Sequence, residues 1–478
     1  MTEQWLCIRI PQLALEVFSR SGNDGQQPLA VCEEGRPARI LLCNSSARCK
    51  GICPGMPVAA ARALAHDLSV CARDRNAEEA SLRSLAAWAY QFSSQVSLYP
   101  PSALVLELHR SLTLFGGYTV LLERIRAGLR ALGYQIRLAS APTPLAAFSL
   151  ARCESEQHIE SLAELAAALG PLPLSVLDWD QNLLDRLYGM GVQRLVDLLR
   201  LPRDGLARRL GTASLLYLDR MLGRQPDPQA VYQPPPRFER RLQLPAEVEQ
   251  AGVLLFALQR LVLELCGWLQ GQGAGIQELE VRLWHREPRT TRFGIGVHRK
   301  SRDAGQLVAL LRERLGRLEL KQPVIEVGLY ATKLLRLEAR SLDLFGEPGE
   351  NRQVDLLDRL RARLGPEAVR GLSAVAEHRP EYAWRYSEPG QGEQMTSGQR
   401  RPLWLLPVPR RLKTENGWPC LQGRLQLQHS RERIESGWWD EQDIARDYFI
   451  AESPSGSRYW IYRELDGERR WFLHGLFE

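Results

Sequence analysis

Residues 183–201 read LLDRLYGMGVQRLVDLLRL, and two amphipathic segments there flank Gly189-Met190-Gly191. Apolar residues at helical spacing on both sides of a Gly-apolar-Gly corner are the pattern of a helix-hairpin-helix. Glycines at such a corner let the backbone approach a phosphate closely. The helix start that follows, from Val192, would offer free N–H donors. A tight helix–helix corner with no ligand has the same look, and both readings stand at this point. The surrounding stretch, from Ile159 to Gly223, is helical in pattern throughout.

Downstream, residues 224–236, RQPDPQAVYQPPP, form a proline-rich linker. Beyond it the pattern predicts a strand over Phe238–Leu244, a long helix over Glu247–Leu269, and strands over Gln277–His285 and Thr290–His298. A helix over Ala304–Leu318 and a strand over Pro323–Thr332 complete it. This is β-α-β-β-α-β, the split βαβ arrangement. The net charge of the chain is +6, and residues 236–340 alone hold 18 Lys+Arg against 12 Asp+Glu. A local cationic excess of this kind points to a polyanionic partner. Arg282, Arg286, Arg289, Arg292 and Arg299 are the candidate contacts, with Gly189, Met190, Gly191 and Val192 of the hairpin. Alternate residues of a strand share a face, so Arg282 and Arg286 are expected to point together.

Upstream, strand-like and helix-like segments alternate. Strands are expected over Trp5–Ile10, Pro28–Cys32, Ala38–Cys43, Ala103–Leu108 and Tyr134–Ser140. Helices are expected over Gln12–Arg20, Ala77–Phe92, Gly117–Leu132 and Pro144–Arg152. This alternation suggests an α/β or α+β domain ending near residue 160. Nine cysteines in 478 residues are too few for a disulfide framework. Cys43, Cys49 and Cys53 cluster, with Cys32 upstream, but lack paired C-x2-C spacing or a local His, so no metal is expected there. Apolar runs are short and broken by Arg, Glu or Pro, which argues against a membrane span. The start, MTEQWLCIRIPQ, lacks a signal-peptide layout, and a cytoplasmic location with no membrane partner is expected.

Past the split βαβ unit, residues 341–345 read SLDLF, between the charged run Lys333–Arg340 and the breaker-rich Gly346–Gly349. Two leucines and a phenylalanine in such a segment either fold back onto a core or are held out for a partner. A helix is expected over Val354–Leu364, then a polar segment around Ser387–Arg400. Half of the twelve tryptophans fall in the last 80 residues: Trp404, Trp418, Trp438, Trp439, Trp460 and Trp471. The end of the chain reads as a strand meander with turns at Pro454–Gly456 and Asp466-Gly467, hence a small β-rich module. Its aromatics serve either as a compact core or as binding anchors.

These pieces, in this order, resemble a Y-family (translesion) DNA polymerase. The resemblance implies a multidomain α+β fold. It comprises a palm/fingers-like domain (1–160), a helix-hairpin-helix thumb-like domain (161–230) and a split βαβ little-finger-like domain (236–340). The clamp-binding peptide (341–345), a helix and linker (346–400) and a Trp-rich C-terminal module (401–478) follow. Gly51–Leu64, GICPGMPVAAARAL, is similar to the family's G-x-x-x-GMP segment and its Ala-rich helix. Ala47-Arg48 matches the end of its Tyr-x-Ala-Arg motif, making Arg48 a remnant of the triphosphate contact. Leu138–Arg152, LASAPTPLAAFSLAR, is similar to the segment that ends the palm.

The catalytic positions differ. Two Mg²⁺ ions require carboxylate oxygens, yet the family's motifs put Arg9 at the first Asp and Ser102 and Ala103 at the later Asp-Glu pair. Ser45 stands at the triphosphate-contacting Tyr and Pro144 at a phosphate-contacting Lys. Trp5–Leu15 contains no Asp or Glu, and Glu107 is the nearest carboxylate to the second motif. A polymerase fold without its metal ligands resembles the catalytically degenerate branch known as ImuB. Arg401–Leu412 (RPLWLLPVPRRL), Arg433–Phe449 (RIESGWWDEQDIARDYF) and Trp471–Glu478 (WFLHGLFE) look like that branch's tail.

The resemblance implies no catalytic residue, no cofactor and no metal. It implies an adaptor in damage-induced (SOS) translesion mutagenesis that binds primer-template or damaged DNA. The adaptor brings an error-prone DnaE-type polymerase and a RecA-like accessory protein (ImuA) to the lesion. An active low-fidelity polymerase with unconventional metal ligands is the alternative. In this family a pentapeptide close to Q-L-[SD]-L-F binds the β sliding clamp. SLDLF differs only in Ser341, with Leu342, Asp343, Leu344 and Phe345 matching. Leu344 and Phe345 would be anchors contributing about 1.5–3 kcal/mol each when fully desolvated.

Overall fold

The computed structural model describes residues 3–20, 27–33, 35, 37–153, 156–337, 349–389, 401–440 and 442–477. The chain divides into two compact units, Met1–Arg363 and Leu364–Glu478.

In the first unit a five-stranded sheet runs in the order Val96–Tyr99, Ala103–Glu107, Trp5–Arg9, Arg137–Ala141, Gln157–His158. Its strands are apolar on both sides because both faces are covered. Leu6, Ile8, Leu104, Leu106 and Leu138 pack against the helices Arg75–Ala89 and Tyr118–Ala131. Cys7, Ala103, Val105, Ala139 and Ala141 lie under the helix Pro144–Ala151. The first long helix begins where Asp74 accepts a hydrogen bond from the Ala77 N–H (3.0 Å), a side-chain cap. A smaller sheet, ordered Arg39–Cys43, Leu29–Glu33, Ser69–Ala72, carries the short helices Ser45–Cys49 and Val58–Leu64. Three strands of these sheets went unread in the sequence, Ser69–Ala72, Val96–Tyr99 and Gln157–His158, because two to four residues are too few to establish a period.

Residues 162–221 are helical as expected, and the proline-rich stretch that follows is pinned to the sheet edge. Tyr232 N–H donates to Val96 O (2.7 Å), and Tyr99 Oη donates to Gln229 Oε1 (2.9 Å).

The basic stretch forms an antiparallel sheet ordered Thr290–Ser301, Ala274–His285, Val324–Ala331, Phe238–Val248, with the short Leu335–Arg336 beside Ala274–Gly275. The helices Leu254–Gly271 and Ala304–Leu315 cover one face. Leu258, Leu261, Leu265 and Trp268 meet Leu279, Val281, Leu283, Val327 and Leu329 in the core. The other face is open. The first strand is longer than expected, reaching Val248, and the helix starts at Leu254 rather than Glu247. Residues 245–250 hold Pro245, Glu247, Glu249 and Gln250 and are mostly exposed; an edge strand tolerates the missing N–H of Pro245, and the buried helical repeat begins only at Leu254. Although the sequence reading found no membrane span, Ala251–Gly271 is long and apolar enough by composition to cross one. Leu254, Leu258, Leu261, Leu265 and Leu269 are buried in this core, and Arg260 and Glu264 interrupt the apolar run.

The second unit holds a five-stranded antiparallel sheet ordered Trp404–Arg411, Trp471–Leu476, Arg458–Glu464, Ile444–Glu452, Gln426–Ser436. The last four strands form the meander, with Gly456 and Gly467 at positive φ in its turns (86° and 61°). Leu412, Leu425, Ala451, Ile461, Trp471 and Leu473 form one core cluster; Ile434, Tyr448, Trp460 and Tyr462 form another. The stretch read as helix and linker also carries a hairpin, Gly371–Ala374 with Trp384–Ser387. The tail tryptophans divide: Trp460 and Trp471 are buried, whereas Trp404, Trp438 and Trp439 are exposed.

Candidate nucleic-acid interface

The hairpin corner forms as the pattern requires, but its donors are engaged. Helix Gln181–Gly189 ends at Met190, and Gly191 takes φ +82°, which favours glycine. The N–H groups of Met190, Gly191 and Val192 donate to Leu187 O, Tyr188 O and Leu187 O at 3.0–3.1 Å. Those of Gln193 and Arg194 donate to the Asp197 carboxylate (3.2 and 3.0 Å), which holds its pKa below the usual range. The free N–H donors expected after the hairpin are therefore occupied by the chain's own oxygens. Val192 is buried, while Gly189 and Met190 are exposed beside Arg209, whose Nη1 lies 3.1 Å from Met190 Sδ.

The open face of the split βαβ sheet is the larger feature. Arg292 pairs with Arg282, Arg282 with Gly328, and Gly328 with Arg241, so one row crosses all four strands. Residues directly paired across strands point to the same face. Here Val281, Leu283 and Phe293 face the core, and the row faces out. Arg241 stacks over Trp284 (4.4 Å) and donates to Tyr330 Oη (2.8 Å). Arg282 lies over the Tyr330 ring (4.0 Å), its fork held by the Glu280 carboxylate at 2.8 and 2.9 Å. Gly328 lets the two rings close over the strand: a Cβ there would meet the Trp284 ring at 2.7 Å. The rings are tilted by 52° to each other, with Tyr330 buried under Arg282 and Trp284 partly exposed under Arg241, so guanidinium groups backed by aromatic rings form the outer surface, which suits a phosphate.

The predicted arginines do not all join this row. Arg286 and Arg289 stand beyond the strand end, exposed at the hairpin tip, with Arg286 paired to Glu247 (3.2 Å). Arg286 thus does not lie beside Arg282 on the strand. Arg299 lies farther along its strand and is partly buried. Arg241, Trp284, Gly328 and Tyr330 went unrecognised; a glycine inside a strand is the one sequence sign of close approach there.

At the metal positions implied by the polymerase resemblance, Arg9 ends its strand directly opposite Ala103, and Ser102 O accepts the Ile10 N–H (2.8 Å). Glu107 sits at the other end of that strand, opposite Trp5, buried and accepting the His109 N–H (2.8 Å). A guanidinium, a hydroxyl and a methyl group do not fit a divalent cation. No group of three His, Cys, Asp or Glu that could hold a metal occurs among the described residues. Pro144 is buried at the first turn of its helix. Arg48 is exposed and, with Ser45, Glu16 and Arg241, lines a cleft of about 1220 Å³. SLDLF (341–345) lies outside the described residues.

Comparison with known proteins adds the following. Residues 24–151 match the impB/mucB/samB family. Protein ImuB of Caulobacter vibrioides, in each of two strains, is 28% identical over 460 residues, covering 89% of this chain and 100% of the relative. Among solved structures, DinB from Sulfolobus solfataricus is 18% identical with a TM-score of 0.39, covering 70% of this chain and 100% of its own. An insertion ternary complex of Dbh DNA polymerase is 19% identical with a TM-score of 0.38 and the same coverage. Superpositions this loose add nothing to the element order described above.

Proposed function

We propose, for a Y-family polymerase-like chain that resembles ImuB over 89% of its length, that it is a non-catalytic adaptor in translesion synthesis. The palm/fingers, thumb and little-finger parts (1–160, 161–230 and 236–340) are retained as a DNA-binding body. Residues 341–345 tether the β sliding clamp, and 401–478 recruit a DnaE-type polymerase and a RecA-like protein. Exposed Trp438 and Trp439, in edge-to-face contact at 5.6 Å, and Trp404 are the tail side chains best suited to anchoring a partner.

One observation carries the reading. The open sheet keeps a row of arginines against Trp284 and Tyr330, while Arg9 and Ala103, which the resemblance sets at a polymerase's carboxylate positions, stand opposite each other at the end of the palm-like sheet. Binding is thereby separated from chemistry. The test pairs primer-template anisotropy with primer extension. Arg241→Ala/Arg282→Ala is expected to weaken binding about tenfold or more, given roughly 1–3 kcal/mol for stacking or charge-assisted contacts. No extension is expected with Mg²⁺ or Mn²⁺. Templated, nucleotide-dependent extension by stringently purified protein would sink the non-catalytic reading; unchanged affinity would sink the DNA face.

A further inference from the structure

Between the hairpin strands Gly371–Ala374 and Trp384–Ser387, residues 377–382 cross to the five-stranded sheet of the second unit and bind it at three points. Arg379, which is buried, donates from Nη1 and Nη2 to the two oxygens of Asp440 (2.9 and 2.7 Å), and Nη1 also donates to Gln442 O (3.2 Å). Glu381 accepts from Arg446 Nη1 (2.6 Å), and Tyr382 Oη donates to Gln442 Oε1. Glu377 holds Arg379 in turn, accepting from its Nη2 (2.9 Å) and from its backbone N–H (3.1 Å). Planar, bidentate pairing of this kind fixes geometry as well as charge.

These contacts converge on the turn Gly437–Asp440, which follows the edge strand Gln426–Ser436 and is closed by the Asp440 N–H on Gly437 O (3.2 Å). The Arg379 guanidinium lies over the rings of Tyr382 (4.8 Å) and Trp439 (5.4 Å). Gly437, at φ +98°, makes room for it: a Cβ there would meet Gln442 O at 2.5 Å and Arg379 Nη1 at 2.7 Å. The turn is thus fixed from within, yet Trp438 is 83% and Trp439 56% exposed. Adjacent tryptophans held rigidly in water mark a binding anchor, because their ordering cost is already met before a partner arrives. The charged residues described from 434 to 443 are Glu435, Asp440 and Asp443, all exposed and all acidic. That rim repels a phosphate backbone and suits a cationic protein surface.

We propose that Trp438 and Trp439 form a preset anchor for a protein partner with an apolar pocket rimmed by Lys or Arg, and that Arg379 is the residue that positions it. The proposal rests on the reading of 401–478 as a recruiting module and deepens it. The module's working surface then depends on residues 377–382, which lie outside 401–478.

Interferometry of the full chain against a DnaE-type polymerase and a RecA-like protein from the same source, each alone, tests it. Wild type is expected to bind one of them, and Trp438→Ala/Trp439→Ala to weaken that binding roughly tenfold or more. Arg379→Gln and Gly437→Ala should each weaken it nearly as much, and neither should add a loss on the Trp438→Ala/Trp439→Ala background. Arg379→Lys should not restore it, because an ammonium cannot serve Asp440, Glu377 and Gln442 O as a planar fork does. With fluorotryptophan in the chain, the fluorine resonances of Trp438 and Trp439 should move towards that of the free amino acid in Arg379→Gln and Gly437→Ala. Those of Trp460 and Trp471 should stay, which tells release of the turn from loss of the fold. Unchanged binding by Trp438→Ala/Trp439→Ala overturns the anchor while the recruiting reading stands, and a loss from Arg379→Gln that adds in full on that background overturns the positioning role. If wild type binds neither protein, the recruiting reading falls and the proposal with it. Binding of single-stranded DNA that is lost in Trp438→Ala/Trp439→Ala also overturns it, by assigning the pair to stacked bases.

Discussion

Gly328 decides the shape of the open sheet face, because its missing side chain is what lets the Trp284 and Tyr330 rings close over the strand beside the arginine row. A Cβ at 328 would meet Trp284 ring atoms at 2.7 Å and Tyr330 at 3.0 Å. Gly328→Val should therefore lift the Trp284 ring away from Arg241 and weaken primer-template binding about tenfold, read by fluorescence anisotropy. Affinity equal to wild type would mean that the rings are not part of the contact. Glu16 makes a second case. It is buried, and its Oε2 has no hydrogen-bond partner among the described residues; burial raises its pKa to about 7, while the Gln135 N–H and Arg20 oppose the rise. A carboxyl with a raised folded pKa binds its proton more tightly in the fold. Its contribution is thus full below about 4.5 and fades as pH climbs to about 7. Glu16→Gln should gain about 1–3 kcal/mol at pH 8 and nothing at pH 4, by chemical denaturation. A gain that does not depend on pH would refute this account. Neither residue was legible in the sequence. Arg282 and Arg292 could be nominated from charge alone, but Arg241, Trp284 and Tyr330 join them only through strand register, which a single sequence does not print.

The helix Leu254–Gly271 shows the same limit for an element. Its apolar period was plain in the sequence, yet it packs on two sides. One side covers the split βαβ sheet, and the other meets the helix Arg75–Ala89, where a Cβ on Gly267 would strike the Trp88 ring at 2.2 Å. Between them lies Glu264, fully buried, ion-paired to Arg20 and to Arg240 (3.1 Å) and accepting from Ser84 Oγ (2.6 Å). On a helical wheel a lone glutamate reads as solvated; only tertiary structure brings Arg20 and Arg240 to it. Burial alone would raise its pKa, but Arg240, Arg20 and Ser84 outweigh it and hold the carboxyl at about 2. Removing one partner of a buried ion pair strands the other charge, so Glu264→Gln should lose about 3–5 kcal/mol at pH 7. A depressed folded pKa gives stability that is full above about 4.5 and is lost as pH falls towards about 2. The gap between wild type and Glu264→Gln should accordingly narrow over that window in denaturation curves. A gap that stays constant down to pH 2.5 would show that the loss comes from packing.

For the whole molecule, the element order of the split βαβ unit and of the C-terminal meander could be read because each rests on periodicity and turn residues. The two-sheet layout of 5–158 could not, since Trp5–Arg9 pairs with Ala103–Glu107 and Arg137–Ala141, and Leu29–Glu33 with Ser69–Ala72, across long sequence separations. The proposed adaptor needs two contacts that act independently, one with DNA and one with the clamp. Phosphate contacts release counterions, so binding should fall with salt at a log–log slope of about −0.9 for each phosphate neutralised. Arg241, Arg282 and Arg292 on one row therefore predict a slope near −3, which Arg241→Ala/Arg292→Ala should reduce in magnitude by about 2. The proposed clamp contact would rest on apolar anchors instead. Leu344→Ala/Phe345→Ala should abolish measurable binding to the sliding clamp, since the two anchors contribute about 1.5–3 kcal/mol each at full burial, a large share of a weak contact. Each variant should leave the other interaction intact: the clamp-peptide variant keeps the wild-type salt slope, and the sheet variant keeps clamp affinity. If either double variant lost both activities while remaining folded, DNA and clamp would share one surface, and the chain could not bridge them in the manner proposed.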